Sequence, residues 1–269
     1  MSRNGAEASV AGPGLTRNVV AVLFVPLFLL LVVYPLVGLV AHLDTTGVRR
    51  TLADAYFWHS TRNTILSALS AAALGVLLAI GFGYYHLFRQ NTFIYRVAHL
   101  MNDLPIAVPH TVAGLALILA FGRNVLGFVS DTGLAFTVVG VVLAMFFVSY
   151  PLAARTIATG VDRMDREVVD VARTLGDTPT KAYFRIVLPL MGEALFSGFV
   201  LAFSRSLSEF AAVVMFGGNI PGVTQVLPSY VFTKVEEGEL GMAVTASVFC
   251  ILLSLAVVGL LSLGRMRRA

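Results

Sequence analysis

Long apolar runs separated by short polar stretches dominate the chain. A helix needs about 20 mostly apolar residues to cross a bilayer. Six segments reach or approach this length, at residues 19–41, 61–85, 97–121, 134–154, 190–216 and 242–263. The pattern predicts an all-α integral membrane protein with six transmembrane helices. Residues 19–264 form its one membrane domain, between short tails at residues 1–18 and 265–269.

The composition excludes a soluble domain of this size. Hydrophobic residues make up 57% of the chain and charged residues only 13%, with a mean hydropathy of +0.84. A soluble domain carries about 25% charged residues, which it needs to cover its surface. The single cysteine, Cys250, lies within the last apolar run. No cluster of Cys, His and carboxylates has metal-ligand spacing, so we predict no metal site.

The net charge of +4 reflects membrane topology rather than a nucleic-acid partner. A nucleic-acid interface needs a basic face with interleaved aromatic residues, whereas these basic residues lie between apolar runs. With a cytoplasmic N-terminus, most of them fall on the inner side, where excess Lys and Arg orient membrane proteins. The outer side then holds only Arg49, Arg50, Arg62, Arg123 and Lys234. We therefore predict a multi-pass protein of the cell membrane with both termini in the cytoplasm.

The longest cytoplasmic stretch, residues 155–189, has the pattern of two helices. The first is predicted over Asp165–Leu175, where apolar residues recur at helical spacing on one side. That predicted apolar side consists of Val168, Val171, Ala172 and Leu175.

A glycine and a capping pair separate this helix from the next. Gly176 stands where a left-handed helix cap is wanted, and Thr178 with Pro179 fits the start of a second helix. The second helix leads through Leu188–Pro189 into the fifth apolar run. Two interpretations follow: an ordinary interfacial amphipathic helix, or a rigid element that transmits force from a soluble partner into a membrane helix.

This stretch resembles the EAA loop of bacterial and archaeal ABC importer permeases. That loop reads Glu-Ala-Ala, three residues, Gly, nine residues, Ile, one residue and Leu-Pro. The spacing matches throughout, although Asp and Val replace the Glu and the first Ala. The matching positions are Asp170, Val171, Ala172, Gly176, Ile186, Leu188 and Pro189. The resemblance implies a type I ABC importer permease fold, whose cytoplasmic EAA loop couples to a separate ATP-hydrolysing subunit.

Two further segments resemble the molybdate and tungstate permeases of this class, and sulfate relatives have a looser version of the first. The first is the loop after the fifth run, with Gly218, Asn219, Pro221, Gly222, Thr224 and Gln225. The second is the entry of the third run, with Asp103-Leu104-Pro105, Pro109 and Val112-Ala113-Gly114-Leu115. Many relatives have a second proline where this chain has His110, which we interpret as structural rather than as a ligand.

The resemblance also implies an assembly. It predicts a homodimer with two ATP-binding-cassette subunits and an extracytoplasmic solute-binding protein, all within a lipid bilayer. The chain has no GxxxxGK[ST] phosphate loop, so ATP and Mg are expected on the partner subunit. We expect no catalytic residue and no cofactor bound by this chain.

The predicted function is ATP-driven import of a small tetrahedral oxyanion, molybdate or tungstate. Within the same class, sulfate, thiosulfate or another small solute remains an alternative. A passive channel would not need the two-helix cytoplasmic loop. An intramembrane enzyme would need a convergent nucleophile and base, and the apolar runs contain only Glu209 and scattered serines.

Two charges lie within the fifth apolar run. Arg205 and Glu209 are spaced i, i+4 and would share a helix face. A charge at the bilayer centre costs at least about 2.5 to 3.5 kcal/mol, so the pair must be buried or hydrated. Arg205 could attract an oxyanion, or the pair could brace the bundle at a gate. Weakly polar pathway candidates are Ser204, Ser206, Ser208 and Thr111.

Overall fold

The computed structural model describes residues 23–266, and their side chains except those of residues 258 and 260–266. This part of the chain is helical throughout, apart from connecting turns and one isolated bridge between Gly122 and Gly133. Its helices are α1 Leu23–Ala41, α2 Thr45–Ala53, α3 Ala55–Phe88, α4 Phe93–Ala107, α5 His110–Phe121, α6 Arg123–Leu126, α7 Val138–Asp162, α8 Arg166–Thr174, α9 Pro179–Leu190, α10 Gly192–Leu207, α11 Ala211–Gly217, α12 Leu227–Glu236 and α13 Leu240–Met266. The predicted tail at residues 1–18 lies outside the described residues.

Four of these helices are long and apolar enough to cross a membrane. They are α1, α3, α7 and the first part of α13, Leu240–Val257. The pair α9 and α10 is bent by 72° and counts as a fifth span if taken as one. The all-helical membrane architecture is therefore confirmed, with four or five spans in the described residues. The predicted third and fifth spans do not form continuous helices, and the fifth run, residues 190–216, is divided between α10 and α11.

The predicted helix over residues 97–121 is broken in the middle. Helix α4 ends at Ala107, and Val108 and Pro109 have extended backbone with ψ of 132° and 133°. The residue before a proline is sterically driven out of the helical region, so Val108 ends α4. Helix α5 then begins at His110 and is only 12 residues long. Pro109 thus separates the two helices, whereas Pro105 lies inside α4.

The fourth span lies further along the chain than predicted. We expected residues 134–154, but α7 begins after Thr137, whose side chain accepts a hydrogen bond from the Gly140 amide at 3.1 Å. It continues to Asp162 because its last turns are packed: Ile157 and Val161 are 0% and 1% exposed. The basic residue Arg155, placed after the span by hydropathy, is therefore inside the helix.

Small residues let α3, α7 and α10 approach one another and form the core. Ala68, Ala71 and Ala72 on α3 are fully buried, as is Ala153 on α7. A Cβ added to Gly198 on α10 would lie 3.4 Å from the carbonyl oxygen of Ala153. Close backbone contact through Gly and Ala is a common way for helices to associate in membranes. This three-helix core fixes α10, which carries Arg205, relative to the rest of the bundle.

Candidate functional site

Three ionisable side chains meet where two broken spans adjoin. Arg205 lies in the last turn of α10, Glu209 follows the end of that helix, and His110 is the first residue of α5. The Arg205 Nη2 atom lies 3.2 Å from Glu209 Oε2 and 2.9 Å from His110 Nε2. His110 Nδ1 lies 3.1 Å from Glu209 Oε2. We call Arg205, Glu209 and His110 the junction cluster.

The helix carrying Arg205 stops before Glu209, so the two residues do not share a continuous helix as predicted. Helix α10 ends at Leu207, and Phe210 is non-helical with φ of −123° and ψ of −59°. Glu209 Oε1 accepts a hydrogen bond of 3.0 Å from the Ala212 amide. This bond satisfies one of the free amides at the start of α11. Glu209 therefore joins the two halves of an interrupted span.

The two interruptions face each other because α5 packs tightly on α11. A Cβ added to Gly114 of α5 would lie 2.5 Å from the Met215 Cβ of α11. Glycine is thus required for the close approach of these helices. That approach brings His110, at the start of α5, next to the gap between α10 and α11.

The junction cluster is closed on one side and open on the other. The Glu209 side chain is fully buried, whereas 28% of the Arg205 side chain and 33% of the His110 side chain are exposed. Ser208 is exposed as well, and its hydroxyl accepts a 3.2 Å hydrogen bond from Arg205 Nη1. The open side therefore presents Arg205, His110 and Ser208 as polar groups.

The other predicted pathway residues have mixed placements. Thr111 is exposed beside His110, and Ser204 is partly buried. Ser206 is fully buried, and within residues 23–266 its hydroxyl has no hydrogen-bond partner. Of the predicted set, Ser208 is the only one that hydrogen-bonds to the junction cluster in the described structure.

The segment predicted to be cytoplasmic, residues 155–189 (hereafter the cytoplasmic segment), contains the predicted helix, glycine turn and helix. The Asp165 side chain caps α8 by accepting a 3.0 Å hydrogen bond from the Glu167 amide. At the other end, the Gly176 amide bonds to the Arg173 carbonyl and the Asp177 amide to the Ala172 carbonyl, each at 3.1 Å. This pair of bonds is the Schellman motif. Gly176 has φ of +97°, a conformation that favours glycine.

Helix α8 has one buried position pair and an exposed apolar set. Val169 and Ala172 are 4% and 5% exposed and pack into the core. Of the predicted apolar side, Val168, Val171 and Leu175 are 37%, 57% and 83% exposed, whereas Ala172 is buried. Helical spacing alone could not distinguish a face that packs inside this chain from one that stays open. Exposed apolar side chains on a helix indicate a contact surface.

Helix α9 begins as predicted and ends in a sharp bend. The Thr178 hydroxyl accepts a hydrogen bond from the Lys181 amide at 3.3 Å, and Pro179 is the first helical residue. Tyr183 is fully buried and donates a 2.7 Å hydrogen bond to the Ile80 carbonyl of α3. At Met191 the chain turns by 72° into α10. The cytoplasmic segment is thus anchored to α3 and continues into the helix that carries Arg205.

The remaining predicted positions of this segment fall into two groups. Asp170 and Pro189 are exposed, and Ile186 and Leu188 are partly buried. A π-helical stretch at Tyr183–Val187, which includes Ile186 and ends just before Leu188, interrupts the regular geometry of α9. Such bulges occur mostly as single turns within helices, often at functional sites.

A cleft of about 830 Å³ opens between α7, the start of α8 and α10. On α10 its wall includes Glu193, Ser197 and Leu201, which are spaced at i, i+4 and i+8 and lead toward Arg205. On α7 it includes Thr156 and Thr159, and just beyond that helix Arg163. The cleft therefore leads from the cytoplasmic segment toward the junction cluster along one face of α10.

The loop between α11 and α12 is a tightly turned, well-bonded structure. Gly218, Asn219 and Gly222 have φ of 81°, 48° and 74°. Thr224 is fully buried, and its hydroxyl accepts a 3.0 Å hydrogen bond from the Ile220 amide. Pro221 is exposed at the tip of the loop. These residues set the path of the loop.

Side chains of α3 hold this loop in place. Asn63 donates to the Val223 and Gln225 carbonyls at 2.9 and 3.2 Å, and the Thr64 hydroxyl accepts from the Leu227 amide at 2.7 Å. The amide of Gln225 is buried between Ser60 and Thr233, at 3.2 and 3.3 Å. Sequence analysis did not identify Ser60, Asn63 or Thr64, because polar residues at the start of an apolar run give no signal of their distant partners.

His110, which we interpreted as structural, contacts both Arg205 and Glu209. Sequence analysis did not predict these two partners. The position of His110 at a proline, where relatives have another proline, gave no indication of a partner 95 residues away. Among the described residues, no group of three or more His, Cys, Asp or Glu side chains could hold a metal ion.

Comparisons with known proteins agree with this architecture. The sequence profile described as "Binding-protein-dependent transport system inner membrane component" matches residues 71–266. The chain is 34% identical over 210 residues to the molybdenum transport system permease protein ModB of Escherichia coli K12, covering 73% of this chain and 89% of that protein. It is 32% identical over 236 residues to the sulfate transport system permease protein CysT of the same strain, covering 84% and 83%.

Solved structures show the same fold at low sequence identity. A bacterial alginate ABC transporter in complex with an alginate pentasaccharide-bound periplasmic protein aligns with a TM-score of 0.72 at 14% identity, covering 91% of this chain and 92% of that chain. The MetNI methionine ABC transporter, in an inward-facing conformation, aligns with a TM-score of 0.58 at 16% identity, covering 77% and 92%. The chain belongs to the family of binding-protein-dependent transport system inner membrane components, in the group of ABC importer permeases that has molybdate and sulfate relatives.

Proposed function

We propose that this chain is the membrane-spanning subunit of an ATP-driven importer for a small tetrahedral oxyanion, molybdate or tungstate. The similarity to ModB supports molybdate, and the similarity to CysT makes sulfate or thiosulfate the alternative. Hydrolysis of ATP takes place on separate subunits, which hold the nucleotide and its Mg ion. This chain contributes the transport pathway and the helices that change which side of the membrane the pathway opens to.

The observation that carries this proposal is the cytoplasmic segment. Helix α8 exposes Val168, Val171 and Leu175 at a rigid Gly176 turn, directly before α9 bends into α10. An exposed apolar face has a hydrophobic driving force to dock into a groove of a partner. Because α9 is continuous with α10 except at the bend, movement of the docked segment reaches the helix that carries Arg205.

The proposed assembly contains two copies of this chain, two ATPase subunits and an extracytoplasmic solute-binding protein. We place the chain in the cell membrane with both termini in the cytoplasm. In this topology α4 and α5 together form one interrupted crossing, and α10 with α11 forms another. Six crossings result, as the hydropathy pattern predicts.

The switch operates between two access states. ATP binding closes the ATPase pair and displaces α8 and α9, and the bend at Met191 passes this displacement to α10. The junction cluster lies between two interrupted crossings, whose ends can shift without unfolding a complete helix. The pathway turns outward to accept the oxyanion from the binding protein, and hydrolysis returns it to the inward-facing state.

One observation keeps sulfate as a second candidate cargo. The loop between α11 and α12 directs its bonding groups into α3 rather than outward, as Asn63 and Gln225 show. A loop that is held internally cannot by itself distinguish molybdate from sulfate. The solute-binding protein therefore selects among anions of similar shape, and sulfate remains compatible with this permease.

Reconstitution tests the proposal. The permease, its ATPase and its solute-binding protein are placed in vesicles with ATP inside, and uptake of molybdate, tungstate and sulfate is measured. Uptake should require ATP, the ATPase and the binding protein, and an ATPase variant that binds but does not hydrolyse ATP should support no more than one turnover. Flux that continues without ATP would indicate a passive channel and contradict the proposal.

A further inference from the structure

Building on the proposed function, we infer that the open side of the junction cluster is a weak binding site for a tetrahedral dianion. Arg205 makes the contacts. Ser208 borders the site, and its hydroxyl donates to the Arg205 carbonyl at 3.0 Å. His110 is a positioning residue that orients the guanidinium, and Glu209 is a buried counter-charge that keeps the affinity low. The site thus gives the pathway a point of anion selection.

The guanidinium group of Arg205 is only partly used by the protein. Its Nη2 atom faces both Glu209 and His110, and its Nη1 donates to the exposed Ser208 hydroxyl. Its Nε–H has no acceptor within residues 23–266. Guanidinium offers five N–H donors in a fixed fork, and the donors on Nε and Nη1 suit two oxygens of one oxyanion. A buried structural ion pair would use this fork for its own carboxylate.

Another arginine in the chain shows what such a closed pair looks like. Arg50 donates through Nη1 and Nη2 to both oxygens of Glu239, at 2.6 and 2.8 Å. These hydrogen bonds hold the pKa of Glu239 below its usual range. Arg205 instead makes a one-sided contact with Glu209 through a single nitrogen. The difference is that Arg205 commits a single nitrogen to its carboxylate, which leaves its Nε and Nη1 donors uncommitted to Glu209.

His110 holds the guanidinium in this orientation. Arg205 Nη2 lies 2.9 Å from His110 Nε2 and 3.1 Å from Nδ1, so a ring nitrogen accepts a hydrogen bond from the guanidinium. Nδ1 also lies at an ion-pair distance of 3.1 Å from Glu209 Oε2, which has no hydrogen-bond partner within the described residues. With Nη2 fixed in this way, the remaining edge of Arg205 points away from the buried Glu209.

Glu209 sets the strength of the site. Its carboxylate is fully buried and offsets the charge of Arg205 a few ångströms away. A dianion therefore gains direct hydrogen bonds from Arg205 but little long-range attraction. A conduit needs sites that bind strongly enough to admit the solute and weakly enough to release it. The neutralised arginine meets that requirement.

Thiol labelling tests the site without relying on transport. The permease–ATPase complex carries Cys250→Ala, which removes the only native thiol, and Ser208→Cys next to Arg205. We expect an anionic methanethiosulfonate to react several-fold faster than a cationic one, and millimolar tungstate to slow both. Adding Arg205→Gln should abolish the anionic preference and the protection by tungstate. Thr111→Cys, exposed beside His110, replaces Ser208→Cys if that variant does not assemble.

Two further variants separate the roles of the neighbours. Glu209→Gln should lower the tungstate concentration for half-protection by about tenfold, because it removes a nearby negative charge in a poorly polarisable region. His110→Leu should reduce the anionic preference, and His110→Gln should restore part of it by donating and accepting in place of the imidazole. A merely structural histidine would change yield in both variants without changing this preference.

The control is Phe196→Cys, which is exposed on a different face of α10 and should show neither anionic preference nor tungstate protection. Labelling is measured without nucleotide and again with ATP bound to a non-hydrolysing ATPase. Equal rates for both reagents in both states, with no tungstate protection, would overturn the inference and leave Arg205 as a brace. ATP-driven uptake by the Cys250→Ala complex reports separately on the proposed function.

Discussion

Arg205 and Glu209 are joined across the end of a helix: Nη2 lies 3.2 Å from Oε2, although α10 stops at Leu207 between them. An i, i+4 pair within one helix would mainly stabilise that helix. Here the carboxylate also accepts a hydrogen bond from the Ala212 amide of the following helix. The pair therefore fixes the position of α11 relative to α10.

Removing one member of this pair should be worse than removing both. Arg205→Ala leaves a buried carboxylate without its main counter-charge, and loss of one partner of a buried pair typically costs about 3 to 5 kcal/mol. We expect Arg205→Ala and Glu209→Ala each to reduce complex yield and uptake. The double variant should be milder than the sum of the two losses. Thermal stability in detergent and uptake in vesicles measure both effects, and additive losses would contradict the pairing.

Gly176→Val should uncouple the cytoplasmic segment without unfolding the bundle. A Cβ at this position would meet nothing within 4 Å, so the cost comes from the backbone φ of +97°. A left-handed conformation costs a residue with a side chain about 1 to 2 kcal/mol, and more if it is β-branched. We expect a normal yield, weaker co-purification with the ATPase and slower uptake.

Two controls accompany Gly176→Val. Gly176→Asn should retain more activity, because asparagine tolerates left-handed backbone better than valine. Gly192→Ala adds a Cβ in open space and in an ordinary helical conformation, so it should leave coupling unchanged. Normal ATPase docking and uptake by Gly176→Val would remove the main support for the coupling role of this segment.

Substitutions on the two faces of α8 should affect different properties, namely ATPase binding for the exposed face and permease yield for the buried face. Val171→Glu places a charge on the exposed face, where valine is 57% exposed, and should weaken ATPase binding at normal permease yield. Val169→Glu places the charge in the core, where valine is 4% exposed, and should lower the yield of the permease itself. Solubilised yield and co-purification are measured for both. Equal losses of yield would mean that the exposed face packs within the permease.

The hydrogen bond from the Leu227 amide to Thr64 should stabilise the loop between α11 and α12. Thr64→Val leaves a buried amide without its 2.7 Å acceptor, which costs about 1 to 3 kcal/mol. We expect a lower melting temperature in detergent for Thr64→Val. Thr64→Ser, which keeps the hydroxyl, should melt close to the unmodified protein. Similar melting of both variants would show that the hydroxyl contributes little.

Reporter fusions test the proposed topology. A reporter after Ala269 should be active in the cytoplasm, and one inserted near Arg123, between α5 and α7, should be active on the outer side. The reason is the excess of Lys and Arg in the cytoplasmic stretches. A fusion next to Gly176 should agree with the C-terminal one. If the Ala269 and Arg123 fusions report the same side, the topology is wrong.

Local signals in the sequence predicted several features correctly. The Gly176 turn, the Thr178 cap and the start of α9 at Pro179 are each determined by one or two residues and their neighbours. Hydropathy is likewise a sum over local residues, and it predicted the helices long and apolar enough to span a membrane but not the breaks within the third and fifth runs. The free-energy cost of placing valine in a left-handed backbone conformation, or of leaving a helix amide uncapped, does not depend on distant parts of the chain.

Features that depend on distant partners were not predictable. Val169 rather than Val168 is buried because of how α8 packs on the core, and helical periodicity is compatible with either. His110 meets Arg205 only because α5 lies against α11. The end of α10 before Glu209 likewise depends on packing. Pairing between broken helices is a property of the assembled bundle.

The bend at Met191 makes α9 and α10 the two arms of an angled lever. Helix α9 is about 18 Å long, and the distance along α10 from Gly192 to Arg205 is about 20 Å at 1.5 Å per residue. If the two helices rotate about Met191 as one body, a displacement at the start of α9 is redirected by 72° and reaches Arg205 with almost the same amplitude. An extra helical turn in α9 would lengthen the input arm by about 5.4 Å and shorten the output stroke by about a quarter. In the proposed transport cycle, the length of α9 would thus set how far Arg205 moves for a given displacement of the cytoplasmic segment.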